Sequence, residues 1–136
     1  MPLFPWKPEY SVQQTELDEH HKNLFAILNS LYENVMNSPE VGSVLPRIDQ
    51  LSAYTRFHFS AEERYMQELG FPGIMGHIGE HREFTGRIEL LRGKQGNNDL
   101  EVMGDLIVIL GEWLLQHVLK EDRKYALWPP VGQHQK

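Results

Sequence analysis

Apolar residues recur at helical spacing in four stretches of this chain. Leu24, Phe25, Leu28, Leu31, Tyr32 and Val35 predict a first helix from near Asp18 to Met36, with Thr15 and Asp18 as capping candidates. Asn37-Ser38-Pro39 and Gly42 break that pattern. Ile48, Leu51, Tyr54, Thr55, His58, Phe59 and Met66 share one broad stripe and predict a second helix from near Leu45 to Leu69. Pro46 is tolerated in its first turn, and Gly70 is a natural stop. A third helix is predicted over Gly73 to Leu91, then a connection through Gly93 to Asn98. The fourth begins near Asp99 and runs past Trp113. Its middle, Leu106 to Leu110, is apolar all round and predicts burial on most sides.

Before the first helix lies an arm, Met1 to about Gln14. Pro2, Pro5 and Pro8 favour extended backbone there, and Phe4, Trp6 and Tyr10 supply apolar packing. From Trp128-Pro129-Pro130 the tail reads as irregular. Four helices with short connections predict an all-α fold, an up-down-up-down four-helix bundle. The expected organisation is one domain over residues 1–136, with the arm at 1–14, the bundle at 15–126 and the tail at 127–136.

Composition narrows the chemistry. The chain has 136 residues, enough for one real core, and 24% of them are charged, an ordinary soluble profile. Thirteen Lys and Arg against 19 Asp and Glu give a formal charge of −6, which argues against nucleic acid and anionic membranes. The absence of cysteine excludes disulfides, thiolate metal sites and cysteine nucleophiles. Imidazole and carboxylate remain as metal donors. The apolar run Leu106 to Leu115 is interrupted by Glu112 and is too short to span a bilayer, so a cytoplasmic location without a membrane anchor is expected.

The histidines carry the signal. Helix two has His58-x-x-x-Glu62, helix three His77-x-x-x-His81 and helix four His117-x-x-x-x-Asp122; helix one offers His20 or His21. A separation of four leaves side chains roughly 40° apart, one turn along the axis, so both reach one centre. Five residues correspond to roughly 140° on an ideal helix. Asp122 can therefore join His117 only where the helix loosens, as in a π-type turn, or ends. Each pair alone is commonplace on a helix surface. Together they place several imidazoles among apolar core positions, and buried polar groups need partners. A metal centre would satisfy them all.

From about Trp6 to Tyr125 the chain resembles the hemerythrins, and more closely their single-domain bacterial members. The resemblance is carried by Leu17-Asp18-Glu19-His20-His21-Lys22-Asn23-Leu24-Phe25, His58-Phe59-Ser60-Ala61-Glu62-Glu63, His77-Ile78-Gly79-Glu80-His81 and the segment from Trp113 to Asp122. It implies a ligand set of His21, His58, Glu62, His77, His81, His117 and Asp122. In that frame His21, followed by Lys22 and Leu24-Phe25, is the ligand of helix one. His20 is an exposed neighbour, and His134 has no partner.

The resemblance further implies two non-haem irons. His77, His81 and His117 would hold one, His21 and His58 the other. Glu62, Asp122 and an oxo or hydroxo group would bridge them. Dioxygen would bind at the open position beside His21 and His58, in a pocket for which Leu114, Phe59, Leu24, Trp113 and Val118 are the candidates. Trp6 and Tyr125 are expected to be structural. The implied role is an oxygen carrier, store or delivery protein rather than an enzyme, with a recipient protein that the sequence does not identify. The alternatives are a sensor of oxygen or nitric oxide acting through a partner, and a di-iron enzyme such as a ferroxidase.

Overall fold

Helix α1, Thr15–Asn37, turns one stripe inward: Leu17, His20, His21, Leu24, Phe25, Leu28 and Leu31 are all buried. The computed structural model describes residues 4–37, 44–96 and 98–128. Neither Thr15 nor Asp18 caps this helix. The Gln14 side chain accepts from the Leu17 amide at 2.7 Å, satisfying one of the free N–H groups of the first turn. Asp18 instead ties down the arm. It accepts from Ser11 Oγ at 2.5 Å and from the Val12 amide at 2.8 Å. The arm is less extended than its prolines predict, since Pro8–Tyr10 forms a 3-10 turn. Its aromatic residues pack as expected: Phe4, Trp6 and Tyr10 lie against the core, with Tyr10 stacked on Phe25 at 5.7 Å.

Helix α2 spans Leu45–Leu69 and closes on Gly70, whose φ of 74° is the left-handed conformation glycine adopts without strain. The Phe71 amide then donates back to the Met66 carbonyl at 3.0 Å. Helix α3 spans Ile74–Arg92. The loop after it ends on Asn98, whose side chain accepts from the Glu101 amide at 3.2 Å and caps the next helix. The break expected at Ser38-Pro39 and Gly42, the tail beyond Trp128 and His134 lie outside the described residues.

Helix α4, Asp99–Ala126, is continuous but not uniform. It is α-helical over Asp99–Trp113, widens to a π-helix over Leu114–Glu121, and returns to α over Asp122–Ala126. The expected loosening between His117 and Asp122 is thus present. The expectation of burial on most sides is corrected. Val108 is 55% exposed and Leu115 59%, while Val102, Met103, Leu106, Ile109, Leu110, Leu114 and Val118 face inward. By length and composition α4 reaches the range of a membrane span, with a mean hydropathy of 1.5 in its most apolar window, which the run Leu106 to Leu115 alone did not suggest. Its buried apolar face is part of the bundle core.

α1 packs on α2 and α4, and α3 packs on the same two, the arrangement of an up-down-up-down four-helix bundle. The core divides in two. A larger cluster holds Leu24, Leu28, Phe59, Phe84, Leu110 and Leu114; a smaller one holds Val12, Leu17, Met66, Phe71 and Tyr125. On each of α1, α2 and α4 one buried polar residue falls between a member of each cluster: His21 between Leu17 and Leu24, Glu62 between Phe59 and Met66, Asp122 between Val118 and Tyr125.

Candidate metal centre

Seven polar side chains from four helices meet in that layer. His21 comes from α1, His58 and Glu62 from α2, His77 and His81 from α3, His117 and Asp122 from α4. Each is 3% exposed or less. Their donor atoms form two groups, each within 4.8 Å: Glu62 with His77, His81 and His117, and His21 with His58, Glu62 and Asp122.

Both carboxylates divide their oxygens between the groups. Glu62 Oε1 lies 2.8 Å from His81 Nε2, 3.9 Å from His77 Nε2 and 3.8 Å from His117 Nε2. Glu62 Oε2 lies 3.5 Å from His58 Nε2 and 3.6 Å from His21 Nε2. Asp122 repeats the division. Its Oδ1 is 2.6 Å from His77 and 3.0 Å from His117, and its Oδ2 is 3.2 Å from His21. The π-helix makes this possible. A bond from residue i to i+5 returns the side chain five residues on to the same face.

The outer nitrogens show which way the rings are turned. His81 Nδ1 donates to Glu63 Oε2 at 2.7 Å, and His117 Nδ1 donates to Glu80 Oε1 at 2.6 Å. Those protons leave Nε2 as the lone-pair atom of each ring, yet the two Nε2 atoms face each other at 3.2 Å. Two opposed lone pairs are tolerable only with a cation between or beside them. Among the described residues, His21 Nδ1, His21 Nε2, His58 Nε2 and Asp122 Oδ2 are buried without a hydrogen-bond partner. Leaving such groups unpaired costs about 1–3 kcal/mol each. A cluster of inward lone pairs on nitrogen and carboxylate oxygen, with no thiolate, fits a transition metal such as iron.

Without metal, protons take that role. Burial opposes charging of His21, but Asp122 and Glu62 outweigh it and push this histidine up to about 9. Burial likewise opposes protonation of His117, and the same two carboxylates raise it to about 10. Burial acts against ionisation of Glu62, yet the surrounding imidazoles hold it well below the usual range. Asp122 is lowered too, against both its burial and the charge of Glu62, by His117 and His21.

Four residues around this centre were missed or misread in the sequence. Tyr125, read as structural, donates its hydroxyl to Glu62 Oε2 at 2.7 Å. Glu63 and Glu80 orient two of the histidines from neighbouring helices. Each is one position from a predicted ligand, but acidic residues on outer helix faces are too common for that to signal a role. The expectation that His20 is exposed is wrong. It is 5% exposed, with its Nδ1 3.0 Å from His58 Nδ1. Burial, then the neighbouring His58, lowers its pKa. Among the pocket candidates, Leu24, Phe59, Leu114 and Val118 are buried and Trp113 is half-buried. Phe59 stacks on His81 at 4.0 Å and Trp113 on His117 at 3.9 Å, so both aromatic rings press on the three-histidine side.

Comparison with known proteins agrees with this geometry. Residues 13–128 match the family model of the hemerythrin HHE cation binding domain. A bacteriohemerythrin of Clostridium acetobutylicum is 31% identical over 130 residues, covering 90% of this chain and 98% of that protein. A bacteriohemerythrin of Stenotrophomonas maltophilia is 30% identical over 129 residues, covering 93% and 81%. Among solved structures, a leucine-to-alanine variant of hemerythrin superposes with a TM-score of 0.73 at 24% identity, covering 93% of this chain and 96% of that one, and so shares the fold. With a family model spanning the whole bundle and relatives matched nearly end to end, this chain belongs to the hemerythrin family.

Proposed function

We propose that this protein binds dioxygen reversibly at a di-iron centre held by His21, His58, Glu62, His77, His81, His117 and Asp122. Membership of the family implies non-haem di-iron, and the donor set is imidazole and carboxylate. The observation that carries the assignment is the division of Glu62 and Asp122, each with one oxygen toward the three-histidine group and one toward His21 and His58. That is how two carboxylates would bridge a pair of metals. Counting both carboxylates, the three-histidine side has five protein donors and the two-histidine side four. The side of His21 and His58 is one donor short, and that is where an outside ligand would enter.

When bound, the iron pair supplies electrons that dioxygen takes up and gives back on release. The residues decide that binding goes no further. Di-iron oxygenases and ferritin-like proteins use more carboxylates, often in Glu-x-x-His pairs, and anionic donors favour higher iron oxidation states. Five neutral imidazoles and two carboxylates favour the lower ones, which supports binding over an enzymatic role. Leu24, Leu114 and Val118, all buried, are the apolar side chains that would keep water and protons from the reacting side. Glu63 and Glu80 fix the tautomers of His81 and His117, and Tyr125 holds one oxygen of Glu62 in place.

The test is an optical cycle on the protein loaded anaerobically with ferrous iron. A visible charge-transfer band that appears in air and vanishes when oxygen is removed, over several cycles, supports the reading. Prompt conversion to a ferric form without that band overturns it.

A further inference from the structure

His20 belongs to neither donor group, yet it is buried against one of their members. Its Nδ1 lies 3.0 Å from Nδ1 of His58. Two such nitrogens can share a hydrogen bond only if one carries a proton and the other a lone pair. The inward nitrogen of His58, Nε2, has no hydrogen-bond partner and lies 3.5 Å from Glu62 Oε2. For that nitrogen to offer a lone pair to a metal, the proton of the neutral ring must be on Nδ1. His20 Nδ1 is then the acceptor. Its own proton is on Nε2, turned toward Glu16 Oε2 at 3.8 Å on the protein's edge.

The His20 ring is fixed to serve as that acceptor. Phe57 lies 4.8 Å from it, Tyr54 meets it edge-on at 6.0 Å, and the His58 ring stands at 83° to it. The Tyr54 hydroxyl also reaches the His20 carbonyl at 3.4 Å.

We infer that His20 is a positioning residue for the two-histidine half of the centre: as a neutral imidazole it accepts from His58 Nδ1–H, fixes the tautomer and ring angle of His58, and so presents Nε2 to the metal. The inference rests on the di-iron reading above. It separates the two halves chemically. His81 and His117 lean on carboxylates, Glu63 and Glu80, which raise the basicity of a ligating imidazole. His58 leans on a neutral ring, which orients it without adding charge.

The test compares wild type, His20→Leu and His20→Gln in anaerobic ferrous-iron titrations. The glutamine amide oxygen can accept the same proton; leucine cannot. His20→Leu should weaken the site of His21 and His58, which has one protein donor fewer and is therefore the weaker of the two, by about 10–100-fold and leave the other unchanged. His20→Gln should recover most of that loss. Independently of any variant, nitrogen NMR of the zinc-loaded wild type should show His20 Nδ1 unprotonated and Nε2 protonated. A His20→Leu protein that binds both irons as wild type does, a His20→Gln protein as weak as His20→Leu, or a protonated His20 Nδ1 would each overturn the assignment. Wild type that takes up fewer than two irons overturns the di-iron reading itself, and the role of His20 with it.

Discussion

The backbone amide of Asp122 donates to the carbonyl of His117, five residues earlier, and the Asp122 Oδ1 atom lies 3.0 Å from the Nε2 of that same histidine. The first contact is the π-helical bond that produces the second. An α-helix through Leu114–Glu121 would turn Asp122 away by roughly 140°. The widened turns therefore bring a seventh imidazole or carboxylate side chain inward, and such bulges are frequent at functional sites.

Asp122→Asn tests that donor. The amide keeps the backbone geometry and loses the charge shared between the two histidine groups. We expect iron per chain, measured after removal of excess metal, to fall from two to one or fewer. His77→Ala should likewise hold fewer than two. A variant that keeps both irons would contradict its assignment as a ligand.

Tyr125→Phe keeps a ring that is fully buried against Tyr65, Phe71 and His77, and removes one hydrogen bond to the Glu62 carboxylate. Hydrogen bonds to charged groups contribute about 1.5–3 kcal/mol, so the metal-free variant should be less stable by that amount and unfold at a lower urea midpoint. An unchanged midpoint would mean that the hydroxyl is not holding Glu62.

The pH dependence of the metal-free protein follows from its buried protons. His21 is raised to about 9 and His117 to about 10, from an ordinary 6.5. A raised group contributes stability that is fully present below its unfolded value and lost as pH rises through its folded value. Glu62 and Asp122 are lowered, so their contribution is present above the ordinary carboxylate range and fades as pH falls. The metal-free protein should be most stable between about pH 4.5 and 6.5 and lose stability from there to about pH 10. Metal binding must displace the same protons, so iron affinity should rise with pH over the upper window. Urea midpoints of the metal-free protein across this range, with proton release on iron addition, check both signs.

Leu114→Ala tests whether apolar side chains protect the centre. Leu114 is 2% exposed. Truncation of a buried leucine costs about 2–5 kcal/mol and opens a cavity. Water reaching the centre should speed the irreversible loss of the oxygenated form to ferric protein, followed as decay of its visible band. A rate equal to wild type would place Leu114 in the general core only.

Much of this arrangement was legible because it depends on spacing along one helix. His58 with Glu62 and His77 with His81 follow from a separation of four, and the awkward separation of His117 and Asp122 predicted the widened turns that are present. His20 was legible too, and was misread: it lies three residues after Leu17 and four before Leu24, inside the buried stripe of α1. The contacts of Glu63, Glu80 and Tyr125 were not legible. Each acts on a residue of another helix, and which outer face meets which ligand depends on how the helices are rotated against one another. The exposure of Val108 and Leu115 has the same origin, since an all-apolar run does not show which of its sides lacks a neighbour.

Reversible oxygen binding by two irons is measured most directly by gas exchange. Protein loaded with two ferrous ions per chain is exposed to a known amount of oxygen, then placed under vacuum or argon, with uptake and release followed by an oxygen electrode. Uptake of one dioxygen per two irons, returned as dioxygen on each of several cycles, is the predicted result. Uptake that is not returned, or that ends in ferric protein and peroxide or water, would contradict it.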